Sequence, residues 1–219
     1  MQKKLLFICL LLSSPCMMFG QKDYKKDSYY QNLTDLKKLN YAIEESDIPT
    51  ITTLLTKVDI NSQDTSGSTP LHNAIADGNL KIIQLLVNSG ANINAKDKKG
   101  YTPLYEVFNS LIESIVMIYC DSIETDQSIL QDIIDGYALK YITIAQYLVT
   151  SGADTTLQYD TDDNWYEIIP QNKYLTLLDI ITEVQSAFTE ELTKNNYDAT
   201  ALKACIKHFD TFKSILQRQ

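Results

Sequence analysis

Histidine occurs only twice in this chain, at His72 and His208, and tryptophan only once. Glycine and proline are sparse too, at seven and five residues, and those few turn out to mark fixed places. These shortages remove whole classes of chemistry. There is no H-E-x-x-H pair, no serine in a G-x-S-x-G elbow and no glycine-rich phosphate loop after a strand, which are the local signatures of metalloproteases, α/β-hydrolases and nucleotide-binding enzymes. The four cysteines form no C-x-x-C, so neither a zinc-site spacing nor a thioredoxin-like motif is present. Asp160-Thr161-Asp162-Asp163-Asn164 starts like a calcium loop, but Trp165 stands where glycine should turn the chain and Gln171 where the bidentate glutamate should be. Asp162 and Asp163 are neighbours in an acidic loop, not carboxylates opposed across a cleft. No enzymatic activity, cofactor or metal site is expected.

Positive charge is missing from one stretch in particular. The net charge is −9, and from Tyr101 to Asn172 there are twelve acids against the single base Lys140. Such a surface repels backbone phosphates, so nucleic acid is not an expected partner. Two readings of the acidic stretch stand side by side: a solvated face that keeps the chain dispersed, or a surface that steers a basic protein partner.

The N-terminus is of another character. Lys3-Lys4, the apolar run Leu5–Leu12, then Ser13-Ser14-Pro15 and a short stretch to Gly20-Gln21 have the layout of a secretory signal peptide, and the apolar run is too short to span a bilayer. Residues 1–20 are therefore expected to be a leader and 21–35 an N-terminal linker, with the protein exported to the periplasm or secreted. No transmembrane segment is expected. Leu12-Ser13-Ser14-Pro15-Cys16 loosely resembles a bacterial lipobox, although proline before the cysteine departs from it. Lipidation at Cys16 would point to an anchored structural component of the envelope instead. Asn32-Leu33-Thr34 is an N-glycosylation sequon. In an oxidising compartment Cys120 and Cys205 are either small buried hydrophobes or a disulfide, and their spacing does not choose between these.

What the chain does contain is a repeat. Thr69-Pro70-Leu71-His72-Asn73-Ala74 returns 33 residues later as Thr102-Pro103-Leu104-Tyr105-Glu106-Val107, with Gly67 matching Gly100 and Asp64 matching Asp97. Pro70 suits a first helical position, Thr69 can cap that helix, Gly78 separates two short helices and Gly90 ends the second. Leu71, Ala74, Ile83, Leu85 and Leu86 fall on apolar faces that neighbouring units must cover. On these residues the chain resembles the ankyrin repeats, whose period of 33 and T-P-L-H-x-A opening it shares. The resemblance implies an all-α solenoid of helix-turn-helix units joined by short β-hairpin loops, with His72 bonding between adjacent loops.

About four units are expected over 36–219, near 36–63, 64–96, 97–159 and 173–217. Tyr41-Ala42-Ile43 and Asp59-Ile60-Asn61 mark an atypical first unit. The third is enlarged: Gly90 and Gly152 lie 62 residues apart, Leu111 replaces the interhelix glycine, and Leu104, Phe108, Leu111, Ile112, Ile115 and Ile118 continue at helical spacing. Its first helix should run on for two or more extra turns, a loop should fall near Asp121–Gln127, and a long second helix should start near Ser128. A hairpin enlarged around Asp160–Asn172 should lead into a fourth unit at Leu175, and a closing helix from Ala199 to about Leu216 should cap the stack.

The resemblance also implies a monomer that binds a protein partner, of unknown identity and possibly basic, through hairpin tips and the exposed positions of first helices. By position these are Thr65, Ser66, Ser68, Ala76 and Asp77 in unit two, and Lys98, Lys99, Tyr101, Asn109 and Ser110 in unit three. Trp165 and Tyr166 join them from the enlarged hairpin, since interface hot spots favour such aromatic anchors; the other reading of Trp165 is that it folds back to cover the insertion.

Overall fold

The computed structural model describes residues 28–121, 127–160, 174–195 and 200–217. After a helical turn α1 (Ser28–Gln31), paired helices follow: α2 (Asp35–Glu44) with α3 (Ile48–Leu54), α4 (Pro70–Asp77) with α5 (Leu80–Asn88), and α6 (Pro103–Asp121) with α7 (Gln127–Thr150). Strands β1 (Gln158–Asp160) and β2 (Tyr174–Thr176) then lead to α8 (Leu177–Asn195) and α9 (Thr200–Leu216). First helices stack on first helices, α2 on α4 and α4 on α6, while α9 lies against both α7 and α8.

Local chemistry sets the ends of these helices. Thr34, Asp47 and Asn79 each accept a hydrogen bond from a backbone N–H in the first turn of α2, α3 and α5, satisfying donors that have no partner inside the helix. Thr69 heads α4, with Pro70 behind it in the position where a missing N–H costs nothing. Between α4 and α5 the chain reverses through Gly78 in the left-handed region. Unit one makes the same reversal with Ser46 at φ 55, the one described non-glycine residue with positive φ, and Asn79 Nδ2 donates to its hydroxyl at 2.9 Å.

The apolar faces meet between units. Leu39, Ile43, Leu71, Ala74, Ile75, Ile82, Ile83 and Leu86 are wholly buried, and each large side chain so covered contributes about 1.5–3 kcal/mol. Leu85 is only partly buried. Where unit three lacks the interhelix glycine, Leu111 is fully buried and α6 continues for 19 residues, while α7 extends to 24. Phe108 packs its ring at 6.3 Å from Phe209 and 6.1 Å from Phe212 of α9, so the closing helix covers the lengthened unit as well as α8.

Part of the expected linker is helical, since α1 carries Tyr30, buried edge-on against Tyr41. β1 and β2 pair antiparallel with Tyr159 opposite Leu175, forming the base of the enlarged hairpin. Thr176 and Asp179 then cap α8 reciprocally. The leader, Trp165, Tyr166 and the Asp162–Asp163 pair, like the side chains of Cys120 and Cys205, lie outside the described residues.

Candidate protein-binding surface

The hairpin tips are built twice from the same parts. Asp64 Oδ1 accepts from the N–H groups of Ser66 and Ser68 at 2.9 and 3.0 Å, and Asp97 Oδ1 accepts from Lys99 and Tyr101 at 2.9 and 2.8 Å. These bonds hold the Asp64 carboxyl below its usual range against a burial effect that raises it. Gly67 completes the first tip at φ 85. A Cβ there would lie 2.5 Å from the backbone nitrogen of Lys98, so glycine serves both the left-handed turn and the close approach of the next hairpin.

Adjacent tips are tied together. Lys98 N donates to Ser66 O at 3.1 Å, Lys98 Nζ to Thr65 O at 2.7 Å, and Gln63 Nε2 to Lys96 O at 2.7 Å. Behind the tips, His72 Nε2 meets Tyr101 O at 3.2 Å. A carbonyl can only accept, so Nε2 carries the proton, and Nδ1 accepts from Thr69 N–H at 3.2 Å and from its hydroxyl at 2.9 Å. Burial, the largest influence, lowers the pKa of His72 and keeps the ring in this neutral tautomer. At the opposite loops Asn61 Oδ1 accepts from Asn92 N at 2.7 Å, and Asn94 Oδ1 from Asp154 N at 2.8 Å. The result is a rigid row of tips bearing exposed Thr65, Ser66, Lys98 and Lys99.

Two of the expected contact residues are not exposed. Tyr101 is 7% exposed: its ring stacks on Tyr105 at 4.1 Å and lies 6.5 Å from Tyr159. Tyr159 comes from β1, where its hydroxyl pairs with Thr102 Oγ1 at 2.8 Å and burial pushes its pKa up to about 12. Tyr105, standing at the position of His72, replaces a polar link by aromatic stacking. Ser110 is 6% exposed, covered because α6 continues where unit two turns. Asn109 is half-buried and donates to Glu113 at 3.1 Å, and Ser68 is half-buried as well. Ala76 and Asp77 are exposed at the end of α4.

A feature missed from the sequence lies along the first helices: a file of partly shielded carboxyls. Burial is the main reason Glu106 is pushed up to about 7, with the charges of Glu113 and Asp97 adding to it and Ser110 and Lys99 opposing. Glu113 is raised by burial. Asp77 is pushed up to about 6 by desolvation and then by Glu44, with Lys140 opposing. The signal available was the acid excess of unit three, but which acids share a face depended on the continuation of α6. No group of three potential metal ligands occurs among the described residues, nor does any described helix have the length and apolarity to cross a membrane.

Repeated helix pairs stacked at a fixed step, with tips bonded tip to tip, define a repeat protein that works by presenting a surface. A family model described as "Ankyrin repeats (3 copies)" matches residues 39–129, and this part of the chain is built of ankyrin repeats. Protein phosphatase 1 regulatory subunit 27 of Mus musculus is 33% identical over 107 residues, covering 49% of this chain and 51% of that protein. A putative ankyrin repeat protein of Rickettsia bellii is 38% identical over 71 residues, 32% of this chain and 28% of that protein. Among solved structures, the ankyrin repeat domain of Bcl-3 has 27% identity with a TM-score of 0.40, covering 64% of this chain and 48% of that one. The chain thus spans about half the length of the first curated relatives it matches.

Proposed function

We infer that this protein is a non-enzymatic interaction module that is exported and holds a protein partner through its hairpin tips and first-helix face. The observation that carries this reading is the bonded row of tips. Thr65, Ser66, Lys98 and Lys99 stand exposed on backbone already fixed by Asp64, Asp97 and the Lys98–Thr65 link, so a partner meets them with little ordering cost. A regulatory role by binding is in keeping with the regulatory-subunit name of the mouse relative. Export rests on Lys3-Lys4 and the Leu5–Leu12 run.

The test is affinity capture from the native organism with the full chain, repeated with Thr65, Ser66, Lys98 and Lys99 all changed to alanine. Loss of the captured protein is expected, with the cooperative melting transition kept and lowered only by the lost Lys98–Thr65 and Ser66 side-chain bonds. Full-strength capture by that variant would move the interface off the tips. For export, the N-terminus of the natural protein should begin at or near Gln21, and a cytoplasmic form retaining Met1 would contradict it.

A further inference from the structure

Helix α7 outgrows the units beneath it, and one side of it shows where the excess goes. Lys140 and Tyr141 touch the interhelix turn of unit two: Lys140 Nζ donates to Asp77 O at 3.0 Å and Tyr141 Oη to Ala76 O at 3.3 Å. The Lys140 stem lies over Gly78, so close that a Cβ there would collide with its Cε. One and two turns earlier on the same side come Tyr137 and Ile133, with no shorter unit to cover them. They are 43% and 39% exposed, and Leu139 beside them is exposed too, whereas Ile134, Ala138, Tyr141 and Ile142 of the same helix are buried. Lys140 Nζ sits 6.0 Å from the Tyr137 ring centre and 5.1 Å from that of Tyr141, which places Tyr137 beside the turn. Below this overhang the turns of units one and two line a shallow cavity of about 620 Å³ that includes Glu44, Ser46, Asp77, Gly78 and Lys81.

The electrostatics of this corner name a kind of occupant. Glu44 and Asp77 face the cavity, and neither makes an ion pair among the described residues. The single base of the acidic stretch, Lys140, donates to a carbonyl, lies near two rings and offsets part of the Asp77 charge without pairing with it. Asp132 is exposed on α7 beside the apolar pair. An apolar wall with Glu44 and Asp77 at its foot, offset there by Lys81 and joined by Asp132 above, complements a segment carrying aliphatic or aromatic residues on one side and Lys or Arg on the other.

We propose that the corner between the α7 overhang and the interhelix turns of units one and two docks a basic amphipathic segment of a partner protein, its apolar residues on Ile133 and Tyr137 and its cations at Glu44 and Asp77. The proposal rests on the interaction-module reading above and adds to it a second contact, at the opposite end of the helices from the hairpin tips. The raised pKa of Asp77 agrees with it, since a bound cation would restore the ionised carboxylate that burial and Glu44 disfavour. A second copy of the chain is a poor occupant, because two chains of net charge −9 repel.

The test uses the isotopically labelled full chain and two synthetic helical peptides with the same leucine face, one with lysines and one with glutamates on the other face. Binding is followed by NMR shifts and by calorimetry. The lysine peptide should bind and move the resonances of Gly78, Asp77, Ile133 and Tyr137. The pair Ile133→Ser with Tyr137→Ser, and separately the pair Glu44→Gln with Asp77→Asn, should each weaken it about tenfold or more without altering the melting curve. No binding, equal binding of the glutamate peptide, or shifts confined to the tips would overturn the proposal. So would self-association of the full chain that Tyr137→Ser abolishes, since a second copy would then be the occupant. None of these outcomes bears on the tip reading, which stands or falls on partner capture by the four-alanine variant.

Discussion

Units one and two cover their apolar faces with near-copies of each other, whereas the lengthened unit three is covered by the closing helix α9. In the first region ties recur at one period: Gln63 to Lys96 O, Lys98 to Thr65 O and Asn79 to Ser46, each 33 residues apart. In the second region the partners are distant and dissimilar. Phe108 meets Phe209 and Phe212, Tyr105 meets Tyr159 at 4.7 Å, and His208 of α9 reaches Asp135 of α7 at 2.6 Å. A stack built of equal units satisfies each face with the next unit. Once one unit outgrows its neighbours, its extra surface either recruits a new cover, as α9 does, or stays open, as at Ile133 and Tyr137.

The comparison can be broken first at the cores. Leu71→Asp buries a charge between units one, two and three and should unfold most of the array, read as loss of the cooperative melting transition. Phe209→Ala should cost about 3–5 kcal/mol, with hydrogen exchange rising in α6–α9 while α2–α5 keep their protection. Equal loss of protection in both regions would show that the molecule does not divide in this way.

The two hairpin glycines sharpen it next. Gly67→Ala drives a Cβ into the backbone of the following tip and should cost about 3 kcal/mol. Gly100→Ala, at the same place in unit three but with nothing within 4 Å, should cost only the left-handed strain, about 1–2 kcal/mol. Denaturant melts of both variants give the difference, and equal costs would mean that tip packing contributes nothing.

The regular region was legible because its reasons are local. Thr69, Pro70, Gly78 and Gly90 each mark a helix end whatever surrounds them, and His72 bonds to the hairpin of the very next unit. Extension of α6 was legible for the same reason, from the absent glycine at Leu111 and the unbroken apolar spacing. The fates of Tyr101 and Ser110 were not. Tyr101 is buried by Tyr159, which arrives 58 residues later from a strand, and Ser110 by the continuation of its own helix into a longer pair. The exposure of Ile133 and Tyr137 was equally hidden, because it depends on the shortness of other units.

A pH comparison has a smaller expected effect. Glu106 has a folded pKa of about 7, above its ordinary value of 4.5, so the folded protein holds a proton there that the unfolded chain gives up. Stability from this residue is therefore greatest below about pH 4.5 and is lost as pH rises towards about 7. Glu106→Gln should flatten that decline, raising the melting temperature near pH 8 relative to wild type and leaving it little changed near pH 4. His72 acts oppositely on the acid side, but it is present in both proteins and drops out of the difference. An unchanged difference across the range would refute the carboxyl assignment. The least effect is expected at Ser46→Gly, which relieves left-handed strain while loosening the unfolded chain and losing an exposed bond to Asn79, for a net change within about 1 kcal/mol. A loss well beyond that in a denaturant melt would show that the Ser46 hydroxyl holds the two turns together.

The central claim, that this stack binds through the face its hairpins and first helices present, is tested most directly by the footprint of a captured partner. Hydrogen exchange of the full chain with and without that partner should show slowed exchange at residues 64–68 and 97–100 and at the end of α4, with α5 unchanged. Protection confined to α5 and the C-terminal halves of α8 and α9 would contradict it.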